Sequence, residues 1–442
     1  MNAFWFYPIH LTACLAGITM LEILRRRGVP WPQQAAAGTL ICAAMSVFVF
    51  SISEPHDLFS DFYKAYYPAA NAVLAGNGDS GLAATMQRGA GGFVNLPILA
   101  WLFAPFGLLP SAAAGYVFFL LGVAATIGAW YCLSRLAGLD RHRSLLLLFI
   151  FAACGPLHNS LREGNTTHFI LLLLALGLLA LRRDRDFLAG LIFGFAALIK
   201  LPLLLLGLYF FSRGRWRVAI GGAAVCSLAG FASLGMFGWD LHVFWYEHSI
   251  KPYAETPLAA FNVQSVQGFF ARLQHADRYL LDWTPHSLHP AVKLASRVSV
   301  WLLMLAVTVV IGLPRRWRRG RTQEASERSI MELEVCIVVM LALMISTVSW
   351  SHYYLWLLLP AALMIGGVPS VLASRELRMP GWPALIMALP PVLVIHFPNP
   401  LLAKIYGCVA VSHYLFAGGL LLAMFLYAGW RSAPPKPEPS RK

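Results

Sequence analysis

The sequence predicts an all-α polytopic integral membrane protein with roughly 11–13 transmembrane helices, some of them re-entrant or broken. Hydrophobic residues make up 58% of the 442 residues, only 12% are charged, and the mean hydropathy is +0.65. Apolar runs recur along the chain, and several reach the ~20 residues that a helix needs to cross a bilayer. We therefore predict one membrane domain over residues 1–430 and a disordered cytoplasmic tail at 431–442.

The net charge of +14 comes from short clusters of Lys and Arg at the ends of apolar runs. This distribution is typical of the positive-inside rule and not of a nucleic-acid-binding face, so we predict no nucleic-acid partner. The seven cysteines lie in or beside apolar runs, without a CxxC pair or a His at ligand spacing. They are interpreted as packing residues, and no metal site or cofactor is predicted.

The charges also predict the course of the first helices. Placing Arg25-Arg26-Arg27 in the cytoplasm puts the N-terminus of the first helix outside and directs the span near 35–53 outward. The loop at about 54–97 is then extracytoplasmic, and a crossing at about 112–134 brings the chain back. The apolar run 96–109, closed by prolines, is short and is predicted to be re-entrant or interfacial.

The apolar run 187–211 has basic clusters at both ends, although a straight crossing would place them on opposite sides. Lys200-Leu201-Pro202 interrupts this run, so we predict two half-helices that enter the membrane and return, with Lys200 near their apex. An ionisable side chain inside the membrane indicates a functional site. The alternative is one long helix whose lysine snorkels to the interface.

The rest of the chain continues the pattern, with an extracytoplasmic loop at about 239–291 and the strongly basic run Arg315–Arg319 on the cytoplasmic side. Further spans are predicted near 218–238, 293–313, 330–348, 355–372, 382–397 and 405–430.

Asp57 and Asp61 lie in the first outer loop beside aromatic residues, in a chain with few carboxylates outside its loops. Acids in this position suggest a reaction centre, and the alternative is that an aspartate only caps an interfacial helix. Asp184-Arg185-Asp186 matches the Asp-x-Asp motif that binds a metal and a nucleotide sugar in soluble enzymes. It lies in a basic turn predicted on the inner side, without a nucleotide-binding domain, and is set aside.

Several stretches, in order, resemble glycosyltransferase family 87, the polyprenol-phosphate-mannose-dependent enzymes with the C-type membrane glycosyltransferase fold. The sequence departs from the family pattern where Asn165 replaces a Gln and Val263 replaces an Asn. The stretches are Asp61–Ala70, Asn95–Pro110, Arg162-Glu163-Gly164-Asn165, Ala189–Pro202, Val263-Gln264-Ser265 with Gly268 and Arg272, and Ser349–Tyr353.

The resemblance implies inverting transfer of a sugar, here mannose, from a polyprenyl-phosphate donor to a lipid-linked or glycan acceptor on the extracytoplasmic face. Cations stabilise the departing phosphate, and Lys200 is the first candidate, with Arg162 and Arg272 in support. The resemblance selects Asp61 over Asp57 as the base, and His352 is either a second base-like contact or a phosphate-binding group. Candidate sugar or acceptor contacts are Asp57, Tyr66, Tyr67, Gln264, Asn165 and Tyr353.

Two other classes of function remain open from the sequence. A lipid or solute transporter also uses broken helices near the bilayer midplane, although such proteins commonly contain internal repeats and we find none here. A non-catalytic membrane assembly subunit would leave Asp61 and Lys200 free to vary. The short loops favour a bacterial inner membrane as the location.

Overall fold

A computed structural model describes residues 3–52, 58–312 and 323–433. The described residues are mainly helical, with one pair of two-residue parallel strands, β1 (Gln323–Glu324) and β2 (Ser432–Ala433). Helices α1 to α20 are Ala3–Arg26, Trp31–Phe50, Tyr67–Leu74, Gly78–Met86, Ala104–Gly107, Ser111–Leu136, Arg141–Ala153, Gly155–Glu163, Thr167–Arg182, Asp186–Ile199, Leu204–Ser212, Trp216–Trp245, Lys251–Glu255, Val266–His275, Pro290–Gly312, Glu327–Ile345, Leu358–Gly366, Arg375–Met387, Pro400–Cys408 and His413–Arg431.

Shorter helical segments connect these helices. π-helical turns form at Phe62–Tyr66 and Tyr246–Ile250. The 3-10 turns are Gly89–Gly91, Pro97–Leu102, Leu201–Leu203, Ser351–Leu357, Ser370–Ala373 and Ala410–Ser412.

Six helical stretches in the described residues are long and apolar enough to cross a membrane, and there are seven if the α7–α8 pair, bent by 56°, is one span. This confirms the all-α polytopic class. Several other predicted spans correspond to apolar helices of 10–17 residues, so the count of 11–13 crossings stays a prediction. The six are Trp5–Arg26, Trp31–Phe50, Ser111–Leu136, Trp216–Ala254, Pro290–Gly312 and Pro400–Arg431.

Individual spans agree with the sequence to different degrees. The crossing predicted at 112–134 is α6, and the Pro-bounded run 96–109 forms a 3-10 segment and the four-residue helix α5. The span predicted at 382–397 is wrong, because α18 ends at Met387 and the chain is then not helical as far as Asn399. Pro390 and Pro391 follow this end and cannot continue a helix. Arg315–Arg319 and most of the predicted tail lie outside the described residues.

The break at Lys200 is confirmed. α10 ends at Ile199, Lys200 has an extended backbone, and the 3-10 turn Leu201–Leu203 leads into α11. The start of α10 lies beside the start of α12, because Arg215 Nη1 is 3.3 Å from Asp186 Oδ2. Since α11 connects the far end of α10 to the start of α12, the chain reverses direction at Lys200.

Small residues allow α10 and α12 to pack closely. A Cβ atom on Gly190 would lie 2.1 Å from the carbonyl oxygen of Val218, and one on Gly194 would lie 2.7 Å from that of Gly222. Glycines at this spacing let the backbones of two membrane helices approach each other. The reversed α10–α11 pair is therefore fixed against α12 by backbone contact.

Two carboxylates of α16 hold the basic ends of this helical group. Arg182, at the end of α9, donates to Glu332 at 2.7 Å, and Arg213, just after α11, donates to Glu334 at 2.9 Å. The Tyr209 hydroxyl donates to the same Glu334 carboxylate at 3.0 Å. The basic clusters around Arg182 and Arg213, which the sequence assigns to one side of the membrane, are therefore found at one end of this helical group.

Candidate active site

Polar side chains from four separate parts of the chain meet at the opposite end of α9 and α10. We call Asp61, Glu163, Asn165, Lys200 and His352 the polar cluster. α9 begins two residues after Asn165 and ends at Arg182, and 16 helical residues span roughly 24 Å at 1.5 Å per residue. The polar cluster and the ion pairs of α16 are thus separated by most of the thickness of a bilayer core.

A glycine turn brings two members of the cluster to the first loop. Gly164 ends α8 with a φ of +65°, a conformation that favours glycine. A Cβ atom there would lie 2.8 Å from the Cβ of Phe62, next to Asp61 in sequence. The turn therefore packs directly on the first loop, and Glu163 and Asn165 on either side of it reach the same cluster.

Asn165 joins the candidate base to the candidate phosphate-binding lysine. Its Nδ2 donates to Asp61 Oδ2 at 2.6 Å, and its Oδ1 accepts from Lys200 Nζ at 3.3 Å. The backbone and hydroxyl of Thr167 also donate to Oδ1, which fixes the orientation of the amide. Lys200 is only 6% exposed, donates to the Tyr353 hydroxyl at 3.2 Å and lies 4.4 Å from the centre of that ring.

Glu163 and His352 form the other half of the cluster. Glu163 Oε2 lies 3.0 Å from His352 Nδ1, and Glu163 Oε1 accepts from Asn159 Nδ2 at 3.2 Å. Ligand atoms of Asp61, Glu163 and His352 all lie within 4.8 Å of one another, a spacing that a divalent ion could bridge. We interpret the group as an ion-pair cluster, because Glu163 contacts His352 directly and Lys200 already supplies positive charge.

Asp61 is held in an environment that suits a base. Burial raises the pKa of Asp61 above its ordinary value, and the neighbouring charge of Glu163 raises it further. His352, the Asn165 amide and Lys200 act in the opposite direction. A carboxylate with a raised pKa accepts a proton more readily, which favours general base catalysis.

An apolar cavity of about 870 Å³ opens beside the cluster. It lies between α10, α11, α12 and α16, and residues of the 249–254 segment also line it. Lys200 and Tyr353 are among its lining residues, whereas most of the others are apolar. Its walls run from Gly190, near the basic end, to Lys200, so the cavity has the shape and chemistry of a slot for a lipid chain with an anionic head.

Two predicted site residues, Arg272 and Gln264, do not belong to the polar cluster and instead hold a neighbouring loop. Arg272 is fully buried, and its guanidinium donates to the carbonyl oxygens of Ala260 and Val263 at 2.9 and 2.7 Å. Gln264 is also buried, and its backbone N donates to Ser349 at 2.6 Å. These contacts hold the loop that precedes His352, so the expected donor contact by Arg272 stays a prediction that its hydrogen bonds do not support.

The remaining predicted site residues do not belong to the polar cluster. Tyr66 follows Asp61 on the π-helical turn and stacks on Phe103, with ring centres 4.4 Å apart. The Tyr67 hydroxyl donates to the carbonyl of Leu109 at 2.9 Å, which directs it to the loop before α6. Arg162 precedes Glu163, and its carbonyl accepts from the Phe59 backbone N. Asp57 lies outside the described residues.

Glu163 is not among the residues predicted for the site, although it lies in the stretch Arg162-Glu163-Gly164-Asn165. The available signal was an acid directly before a glycine, inside a chain whose membrane segments hold very few acids. Asn159, which orients Glu163, had no sequence signal because an Asn in a short helix is common.

Comparison with known proteins identifies the family of the chain. The family model described as glycosyltransferase family 87 matches residues 93–347, which is more than half of the chain. The chain belongs to glycosyltransferase family 87. The resemblance noted from the sequence motifs is therefore confirmed, and this family 87 protein is a membrane glycosyltransferase.

Named relatives of this glycosyltransferase are mycobacterial enzymes. It is 26% identical, over 76% of each chain, to a polyprenol-phosphate-mannose-dependent alpha-(1-2)-phosphatidylinositol pentamannoside mannosyltransferase of Mycolicibacterium smegmatis. It is 28% identical, over 62% of each chain, to a polyprenol-phosphate-mannose-dependent alpha-(1-2)-phosphatidylinositol mannoside mannosyltransferase of Mycobacterium tuberculosis. No solved structure matches the chain.

Proposed function

We propose that this glycosyltransferase moves mannose from a polyprenyl-phosphate donor to a hydroxyl group of a lipid-linked or glycan acceptor, with inversion at the anomeric carbon. One observation carries the proposal: Asn165 joins the enclosed carboxylate of Asp61 to Lys200, and Lys200 lies in the wall of the apolar cavity. A base, a cation and a lipid slot are thus combined in one place.

The donor fits this arrangement by its chemistry. Its polyprenyl chain occupies the cavity between α10, α11 and α12, and its phosphate lies beside Lys200 at the outer end of that slot. Transfer breaks the bond between the anomeric carbon and the phosphate oxygen, and the electron pair leaves with the phosphate. A buried lysine ammonium stabilises this developing charge more strongly than it would in water.

The acceptor hydroxyl is activated by Asp61. The hydroxyl oxygen forms the new bond to the anomeric carbon on the face opposite to the phosphate, and its proton passes to the Asp61 carboxylate. The Asn165 amide keeps the carboxylate in place, since it donates to Oδ2 and is itself fixed by Thr167. A single displacement of this kind inverts the anomeric centre.

The positions of the charged residues support a reaction on the extracytoplasmic face of a bacterial inner membrane. Arg182, Arg213 and Arg215 lie at one end of the α9–α12 group, in agreement with the positive-inside rule. The polar cluster lies at the other end, near the predicted outer loops 54–97 and 239–291. The donor phosphate would therefore be bound at the outer surface.

The test is sugar transfer by the purified, lipid-reconstituted protein from labelled polyprenyl-phosphate mannose, with polyprenyl-phosphate glucose as the competing donor. Asp61→Asn should reduce the transfer rate by about 10² or more, the range of a lost general base. Asp79→Asn, which changes an exposed aspartate of α4, is the matched control and should keep wild-type activity. Absence of transfer by the wild type, or full activity of Asp61→Asn, would contradict the proposal.

A further inference from the structure

Glu163 is placed to control His352, and the reaction described above gives it no role. Both of its carboxylate oxygens are occupied: Oε2 by His352 Nδ1 at 3.0 Å and Oε1 by Asn159 Nδ2 at 3.2 Å. Asn159 Nδ2 also lies 3.5 Å from the hydroxyl of Ser351, the residue before His352. Side chains of α8 therefore contact both the ring of this histidine and the side chain of the residue before it.

The other nitrogen of the ring is left for a ligand. His352 is only 4% exposed, and neither ring nitrogen makes a hydrogen bond of good geometry to the described residues, although Nδ1 lies 3.0 Å from Glu163 Oε2. A buried nitrogen without a partner is costly, so its persistence at a functional site indicates a missing group. Because Glu163 holds the ring at Nδ1, the direction of Nε2 is fixed before any substrate arrives.

Charged groups of both signs surround the ring. Asp61 and Glu163 contribute negative charge, and Arg162 and Lys200 contribute positive charge, so the carboxylates do not leave an excess of negative charge that would repel an anionic phosphate. The groups near the ring, taken from every element that packs on it, are Asp61, Arg162, Glu163, His168, Lys200 and Tyr353.

We propose that Glu163 is a positioning residue that holds the ring of His352 at Nδ1, with Nε2–H donating a hydrogen bond to the donor phosphate. This inference rests on the proposed function and decides between the two roles left open for His352, in favour of phosphate binding. Glu163 itself touches no reacting atom. The proton of the acceptor still passes to Asp61, and His352 stabilises the leaving group together with Lys200.

The proposal is tested with Glu163→Gln, His352→Gln and the double variant, all checked for unchanged thermal unfolding. Glu163→Gln keeps the size of the side chain and removes its charge. We expect it to weaken inhibition by polyprenyl phosphate about 10-fold, the effect of losing one charge-assisted hydrogen bond. Glu247→Gln, which changes an exposed ion pair with Lys251, is the control.

The double variant separates positioning from an independent structural role. If Glu163 acts through His352, the double variant should be no worse than His352→Gln within about 2-fold, whereas independent effects would multiply. Multiplied effects, or unchanged inhibition by polyprenyl phosphate in Glu163→Gln, would overturn the inference. Both outcomes require an active wild type, so they differ from failure of the proposed function, in which the wild type transfers no sugar.

Discussion

Replacing Lys200 by Met tests the centre of the proposed mechanism. The ammonium group is buried and has two oriented neighbours, the Asn165 amide oxygen at 3.3 Å and the Tyr353 hydroxyl at 3.2 Å. Neither neighbour carries a formal charge, so the substitution removes a positive charge that no other contact of the lysine replaces. Methionine keeps a similar length and is readily packed against an apolar wall.

The size of the effect follows from the distance and the medium. At an effective dielectric constant of about 20, two unit charges about 4 Å apart interact by roughly 4 kcal/mol. The transition state carries more negative charge on the phosphate than the bound donor, so only part of this energy changes the barrier. We expect kcat/KM for the donor to fall by about 10²–10³, the range seen when one preorganised stabilising group is lost.

The assay is the initial rate of mannose transfer as a function of donor concentration, after thermal unfolding shows that the variant is folded. Lys404→Met, which changes an exposed lysine of α19, is the matched control. Because Lys200 lowers the pKa of Asp61, the acidic limb of the Lys200→Met profile should also move to higher pH. A loss smaller than about 5-fold, with no movement of this limb, would refute the electrostatic role assigned to Lys200.

Three further predictions concern the base, the cavity and the inner ion pairs. Burial and Glu163 raise the pKa of Asp61, so the kcat/KM of the wild type should fall on acidification at a pH above the usual carboxyl range. A pH profile whose acidic limb lies near pH 4 would contradict this. Gly207→Phe adds a ring in the cavity wall, where no atom lies within 4 Å of the new Cβ, and should raise KM for the donor. Gly230→Phe, at a position equally open but outside the cavity wall, should leave KM for the donor unchanged. If both substitutions raised KM equally, the cavity would be excluded as the donor site. Glu334→Ala leaves the partly exposed Arg213 without this carboxylate and should lower stability by about 1–3 kcal/mol, measured by chemical unfolding in detergent. An unchanged stability would contradict the role of this pair.

The break at Lys200 could be predicted because two independent local signals coincide there. A proline two residues after the lysine cannot continue the first helix, and basic clusters at both ends require the chain to return. Neither signal depends on distant residues, so the sequence contains what is needed. The same reasoning placed α6 correctly between Pro110 and Arg135.

The roles of Arg272, Gln264 and Glu163 could not be derived in this way. A charged or amide side chain in a motif has the same letters whether it faces a substrate or a backbone carbonyl, and only the tertiary structure distinguishes the two. Arg272 donates hydrogen bonds to the carbonyls of Ala260 and Val263. Glu163, in contrast, lies beside His352 because of the turn at Gly164. The choice of Asp61 and Lys200 came from the family resemblance and from intramembrane charge, which do not apply to the supporting residues.

The ion pairs of α16 have a consequence for how the protein is made. Arg213 meets its carboxylate 121 residues later in the chain, and Arg182 meets its own 150 residues later. During synthesis, α10 and α11 therefore enter the bilayer before the carboxylate partners of both arginines have been made. The wall of the lipid cavity becomes complete only when α16 inserts, so a nascent chain stopped before Glu327 would have the lysine and the base but no closed slot for a donor.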